Sequence, residues 1–131
     1  MDRIANLIVS LKNAGVVGKE KIFIPHSKLL ENISNLLVKN SYLKAVRTVS
    51  KENSIAKFLE LVLAYDEAGV SKIREVARVS KLSTRVYTGT KRLPIFKKGK
   101  GLVVMTTPKG IMSAADAKKE HVGGEILFKI F

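Results

Sequence analysis

Residues 101–113 read GLVVMTTPKGIMS, and this stretch decides the fold of the C-terminal half. Its first part, Leu102 to Thr106, is apolar and rich in β-branched residues, which predicts a buried strand. We interpret the next part, Thr106-Thr107-Pro108-Lys109-Gly110, as a loop that carries two hydroxyls, an amine and a glycine. Such groups suit contacts with base edges, sugar hydroxyls and phosphates, and glycine permits close backbone approach. The alternative is an ordinary turn before a helix cap at Ser113.

The residues on both sides of this stretch extend the β pattern. Ser113 is expected to cap a short helix that ends near Lys118, and Gly123-Gly124 to introduce a last strand, Glu125 to Phe131. Another short strand is predicted at 84–88. Residues 70–80 fit both a helix face and strand alternation, so periodicity alone leaves them open. The second half is therefore predicted to be mostly antiparallel β with one short helix.

The first half combines helical stripes with strands. One apolar stripe predicts a first helix, which is expected to stop at Ala14-Gly15. The stripe consists of Ile4, Leu7, Ile8 and Leu11. A short strand ending at Pro25, a second helix capped by Ser27, and strands at 43–50 and 55–65 follow. The order α-β-α-β-β lets two helices cover one face of a sheet. The fold class is therefore predicted to be α+β, with two subdomains.

The charge of this 131-residue chain is concentrated in its second half. The chain carries 24 Lys+Arg and 11 Asp+Glu, a formal net charge of +13. Residues 1–69 contribute 10 bases and 7 acids, whereas residues 70–131 contribute 14 and 4. An acidic turn at Asp66-Glu67 coincides with this change, so we predict subdomains at 1–66 and 67–131. Nine bases and no acid lie between Val76 and Ala115, which favours a phosphate-facing surface over a solvated lysine-rich one.

The composition argues against several kinds of site. There is no Cys, which removes disulfides, thiolate nucleophiles and Cys-ligated metals. His26 and His121 form no dyad or triad with carboxylates at a recognisable spacing, and no phosphate-binding loop or dinucleotide motif is present. We therefore expect no catalysis, no metal and no cofactor. No apolar run approaches the roughly 18 residues of a membrane span, and the N-terminus lacks a secretory pattern, so a reducing intracellular compartment is expected.

The alternative function from another class is that of a basic adaptor, either at a lipid surface or of a chaperone-like kind. Binding to a lipid surface requires an amphipathic helix with a basic polar face, whereas the bases of this chain fall among predicted strands and loops. Tyr87 ends a basic stretch and is either a stacking partner for an unpaired base or a core residue. Gly124-Glu125 is either a plain turn into a strand, or it places a carboxylate that bonds exocyclic amines or orients the threonine loop.

Five segments, in order, resemble the bacterial form of the S-eight family of small-subunit ribosomal proteins. They are DRIA at 2–5 with KNA at 12–14, IPHSK at 24–28, RVSK at 78–81 with RVY at 85–87, residues 101–112, and GGE at 123–125. The resemblance covers essentially the whole chain. It implies a cytoplasmic ribosomal protein, with an organellar ribosome as the alternative. Such a protein binds an irregular helix in the central domain of small-subunit rRNA, supports the binding of neighbouring proteins, and often represses its own operon mRNA.

The resemblance also implies which residues contact RNA. In the C-terminal subdomain they are the hydroxyl loop and its neighbours: Thr106, Thr107, Lys109, Gly110, Tyr87, Gly124 and Glu125. The basic signature adds Arg78, Lys81 and Arg85. In the N-terminal subdomain, Ser27 and Lys28 match an RNA-facing turn.

The chain departs from the family pattern at two places. Pro108 replaces the usual third serine of the loop, which removes a hydroxyl and a backbone N–H. Leu82-Ser83 replaces the usual Pro-Gly after the Ser-Lys pair. The family pattern further implies that residues 70–80 are largely extended and link the subdomains.

Overall fold

The computed structural model describes residues 3–50, 55–79, 87–89 and 101–130, and the chain divides into compact units at 1–74 and 75–131. The change in charge predicts a division after Asp66, whereas the first unit extends to Arg74. The reason is that residues after the acidic turn fold back on the preceding strand. Ser71 forms a bridge with Tyr65, and the N–H of Lys72 donates to the carbonyl of Ala64 at 2.9 Å.

The first unit has the predicted order α-β-α-β-β. Its elements are α1 (Arg3–Val17), β1 (Lys21–Pro25), α2 (Lys28–Lys39), β2 (Leu43–Ser50) and β3 (Lys57–Leu63). The strands form an antiparallel sheet in the order β1-β3-β2. The central strand β3 is the most buried, because Leu59 and Leu61 are inaccessible to solvent. The prediction of a central strand in this region is therefore confirmed, although the strand is two residues shorter at each end than the predicted 55–65.

The first helix extends two residues beyond the stop that the sequence predicts. Its apolar stripe includes Leu7, Leu11 and Ala14, all of them buried. The helix continues through Gly15 to Val17 and ends at Gly18, whose φ of +75° suits glycine. Gly15 serves packing instead, since a Cβ there would lie 2.8 Å from the Oγ of Ser71. The predicted stop at Ala14-Gly15 is therefore wrong.

The second helix begins as predicted, after a cap at Ser27. The Oγ of Ser27 accepts a hydrogen bond from the N–H of Leu30 at 3.1 Å, which satisfies one of the free amides of the first turn. Asn40 caps the other end, and its side-chain amide donates to the carbonyl of Leu36 at 2.9 Å. Ser27 and Lys28 are thereby held at the N-terminus of α2.

In its described residues, the second unit is antiparallel β with one short helix, as predicted. Its elements are β4 (Val76–Arg78), β5 (Tyr87–Thr88), β6 (Leu102–Thr107), β7 (Gly110–Ser113), α3 (Ala114–Lys119) and β8 (Gly124–Ile130). The strand order is β4-β8-β6-β7, and β5 pairs with β8 as well. Strand β4 confirms the extended interpretation for residues 76–78. In the part of the chain that the structure describes, no helix has the length and apolar character to cross a membrane.

One core cluster of the second unit forms where α3 packs on its sheet. It consists of Val103, Met105, Ala114, Ala117 and Ile126. Ser113 caps α3, because its Oγ accepts from the N–H of Asp116 at 3.1 Å. A short helix of this kind is stabilised mainly by packing. The packing of α3 fixes β6 and β8, the strands that carry the candidate site.

Candidate nucleic-acid interface

The threonine segment is a tight hairpin and not an open loop. Thr107 lies opposite Gly110 in the β6–β7 ladder, so Pro108 and Lys109 alone form the turn. Proline suits the second position of such a turn, because its φ is preset and no N–H is needed there. Gly110 follows with a φ of +117°, a conformation that favours glycine. The alternative of an ordinary turn before a helix cap at Ser113 is therefore confirmed, and Pro108 has a structural explanation.

The Thr107 hydroxyl is engaged within this turn. Its Oγ1 donates to the carbonyl of Gly110 at 2.9 Å and accepts from the N–H of Lys109 at 3.2 Å. The residue is buried, with 8% of its surface exposed. Thr107 therefore fixes the conformation in which Lys109 and Gly110 are presented.

Three of the predicted residues form a row across neighbouring strands. Tyr87 on β5 lies opposite Glu125 on β8, and Glu125 lies opposite Thr106 on β6. Directly opposed residues of antiparallel strands place their side chains on the same face. Tyr87 is 70% exposed, so the exposed alternative holds and the core alternative does not. Thr106 and Glu125 are half-buried beside it.

Gly124 allows β8 to approach the hairpin closely. A Cβ at this position would lie 2.1 Å from the carbonyl oxygen of Thr106 and 3.1 Å from the Cα of Thr107. No side chain fits in that space. Gly124 is therefore required by packing, and it brings Glu125 next to Thr106.

These elements enclose a surface hollow of about 480 Å³. Its lining includes five predicted residues and two neighbours that the sequence analysis did not assign to RNA: Tyr87, Thr106, Thr107, Gly124, Glu125, Pro108 and Gly123. Both neighbours adjoin assigned residues in the sequence, which is the signal that could have included them. The hollow thus combines an exposed aromatic ring, a hydroxyl and a carboxylate.

Lys109 extends from the hairpin turn and pairs with a residue that the sequence analysis missed. Its Nζ lies 3.1 Å from a carboxylate oxygen of Glu120, and both side chains are 54% exposed. An exposed pair of this kind contributes little to stability. Glu120 follows α3, so pattern alone gives no sign that it meets the hairpin.

The remaining basic candidates lie elsewhere or are outside the described residues. Arg78 lies opposite Phe128, three positions along β8 from Glu125, and it does not line the hollow. Lys81 and Arg85 lie outside the described residues. Of the nine bases between Val76 and Ala115, the structure describes Arg78 and Lys109.

The N-terminal candidates lie at the start of α2, in the other unit. Ser27 caps the helix, and Lys28 is exposed. Next to them, Nε2 of His26 lies 2.7 Å from a carboxylate oxygen of Glu31. This hydrogen bond from His26 is the largest of the effects that hold the pKa of Glu31 below its usual value. Within the described residues, no group of three or more His, Asp or Glu side chains is placed to hold a metal ion.

Comparison with known proteins identifies the family. The family model for ribosomal protein S8 matches residues 2–131. The chain is 41% identical over 130 residues to the small ribosomal subunit protein uS8 of Chlorobium limicola, covering 99% of this chain and 97% of the relative. The uS8 proteins of Chlorobium phaeovibrioides and Rhodopseudomonas palustris are each 39% identical, with the same coverage. The chain belongs to the ribosomal protein S8 family.

Proposed function

We propose that this S8-family chain binds an irregular helix in the central domain of small-subunit rRNA through the hollow beside the β6–β7 hairpin. Membership of the family makes it a structural, non-enzymatic protein of the small ribosomal subunit in the cytoplasm. The observation that carries the RNA proposal is the row formed by the exposed Tyr87, Glu125 and Thr106. A duplex with regular pairing would offer such a row few partners, whereas unpaired or distorted bases expose edges and faces to it.

Each residue of the row has a distinct role in this proposal. The Tyr87 ring stacks on an unpaired base, a contact worth about 1–3 kcal/mol. The Thr106 hydroxyl donates to or accepts from a base edge or a 2′-hydroxyl. The Glu125 carboxylate accepts from an exocyclic amine, which gives a negatively charged group a function on a phosphate-binding face.

Thr107 and Gly124 position this row. The Thr107 hydroxyl is committed to Gly110 and Lys109, so its effect on RNA is exerted through the turn. Gly124 lets the backbone of β8 lie against Thr106. Gly110, exposed at the end of the turn, leaves room for a phosphate group to approach the backbone.

The cationic residues supply attraction that depends on salt. Lys109 leaves its exposed ion-pair partner Glu120 and binds an RNA phosphate instead. Arg78, Lys81 and Arg85 are proposed to add phosphate contacts, and Ser27 with Lys28 to form a second contact at the start of α2. Phosphate contacts fix the register on RNA, and the hollow provides the discrimination.

The experiment that tests this proposal compares Tyr87→Phe and Tyr87→Ala in binding to the rRNA helix and to a regular duplex of equal length. If stacking dominates, Tyr87→Ala weakens binding to the rRNA helix by about tenfold or more, and Tyr87→Phe by much less. Both variants should bind the regular duplex like the wild type. Equal losses on both RNAs would contradict the proposal.

We also propose that the same hollow binds the chain's own operon mRNA, folded as a mimic of the rRNA site. A leader–reporter fusion in cells that overproduce the protein tests this directly. Repression by the wild type that is lost with Tyr87→Ala is expected. Repression that persists in the Tyr87→Ala variant would contradict a shared site.

A further inference from the structure

One edge of strand β1 in the first unit has no pairing partner among the described residues. In that part of the chain the strand pairs with β3 alone. The carbonyl of Glu20 accepts from Leu63, and the N–H of His26 donates to Lys57. Residues 20, 22, 24 and 26 therefore direct their peptide groups toward β3, because antiparallel ladders alternate. The peptide groups of Lys21 and Phe23 face away from the sheet.

A hollow of about 660 Å³ lies beside this edge, between α1 and β1. Apolar side chains form part of it, and two of them are well exposed: Val17 at 69% and Phe23 at 56%. Ser10 and Asn13 supply polar groups from α1, and Lys19 and Lys21 supply positive charge. Of the described residues, no carboxylate lines the hollow.

The basic side of this edge is held in place by a buried carboxylate. Nζ of Lys21 lies 3.3 Å from Glu60, whose side chain is 4% exposed. Glu60 also accepts from Nε of Arg47 at 2.6 Å. The Lys21 amine lies 5.9 Å from the centre of the Phe23 ring, within the range of a cation–π contact. The exposed ring of Phe23 and the positioned amine of Lys21 therefore lie beside the peptide groups that face away from β3.

We propose that the β1 edge binds an extended acidic peptide segment of a neighbouring protein by strand addition. The partner's backbone pairs with Lys21 and Phe23, one of its side chains enters the hollow, and its carboxylates face Lys19 and Lys21. Pro25 has no N–H and ends the usable edge. The inference rests on the proposed place in the small subunit only for the source of the partner, since the β1 edge and the hairpin hollow share no residue.

The test uses the full-length chain and a synthetic probe. The probe is an eight-residue peptide of alternating Val and Glu, blocked at both ends, and amide resonances are followed by NMR during its titration. Peptide-dependent shifts are expected at Lys21 and Phe23, with slowed hydrogen exchange of these two amides. A probe with N-methylated backbone groups should bind much more weakly, because strand addition needs main-chain hydrogen bonds.

A charge-reversal pair tests the electrostatic part. Lys19→Glu should weaken binding of the acidic probe by about fivefold, the scale expected of an exposed charge contact. Lys44→Glu is the matched control, because it makes the same change in net charge on the opposite edge strand β2 and should leave binding unchanged. Equal weakening by both variants would show unspecific attraction and overturn the proposal.

Other outcomes also decide it. Shifts that map to β2 or to the second unit would overturn the proposal, as would concentration-dependent dimerisation through Phe23, which would assign the edge to a second copy. Displacement of the peptide probe by the rRNA helix would overturn the proposal as well, because it would assign the β1 edge to RNA binding. RNA binding measured on the same samples separates the two proposals: intact RNA binding without probe binding refutes the edge alone.

Discussion

The substitution Gly124→Ala tests most sharply how the hollow is built. The added Cβ would lie 2.1 Å from the carbonyl oxygen of Thr106, about 1.3 Å short of an ordinary contact of 3.4 Å. The obstacle is backbone in the neighbouring strand, so no side-chain rotation relieves it. Strands β8 and β6 must separate, at a cost of about 2–3 kcal/mol, as is typical of overpacking. The separation also moves Glu125 away from Thr106.

Urea denaturation and RNA binding measure the two consequences. We expect a lower free energy of unfolding by about 2–3 kcal/mol and weaker binding to the rRNA helix at temperatures where the variant is folded. Gly89→Ala is the matched control, because Gly89 follows β5 and a Cβ there meets no atom within 4 Å. Wild-type stability of Gly124→Ala, or equal effects of the two substitutions, would refute the packing argument.

Three further substitutions probe other parts of the chain. Ser34→Ala should raise the free energy of unfolding by about 1 kcal/mol, because the Ser34 hydroxyl is buried without a hydrogen-bond partner among the described residues; destabilisation in thermal or urea unfolding would contradict this. The main cause that lowers the pKa of Glu60 is its hydrogen bond from Arg47. The free energy of unfolding should therefore decrease as the pH falls through that lowered pKa. Glu60→Gln should flatten this dependence at pH values below the ordinary glutamate pKa of 4.5, and an unchanged pH profile of β3 hydrogen exchange would refute it. Lys109→Ala should reduce the slope of log affinity against log salt by about one unit, whereas a slope equal to the wild type's would show that Lys109 does not contact phosphate.

Much of the fold could be predicted because local signals and burial agree. The stripe at Leu7 and Leu11, the cap at Ser27 and the apolar run at 102–106 each specify an element through one dominant effect. The end of α1 could not be predicted, since Gly15 resembles a helix terminator but is needed where α1 meets Ser71. That reason depends on a tertiary contact 56 positions away in the sequence.

The candidate site was predicted in composition more accurately than in geometry. Tyr87, Thr106 and Glu125 meet because three strands align in register, and no local pattern sets that register. The threonine segment carries the residues of a loop, yet pairing of Thr107 with Gly110 makes it a hairpin. Once the turn closes, the hydroxyl nearest to Lys109 is used internally. A sequence indicates which groups are present but not which of them remain available to a ligand.

The central claim is that RNA binds at the hollow of the second unit. Titration of the isotopically labelled chain with the central-domain rRNA helix, followed by amide NMR, tests it most directly. The largest changes should occur at Tyr87, Thr106, Lys109, Gly124 and Glu125, and a regular duplex should not produce them. Changes confined to residues 3–74, or the same pattern with both RNAs, would contradict the account.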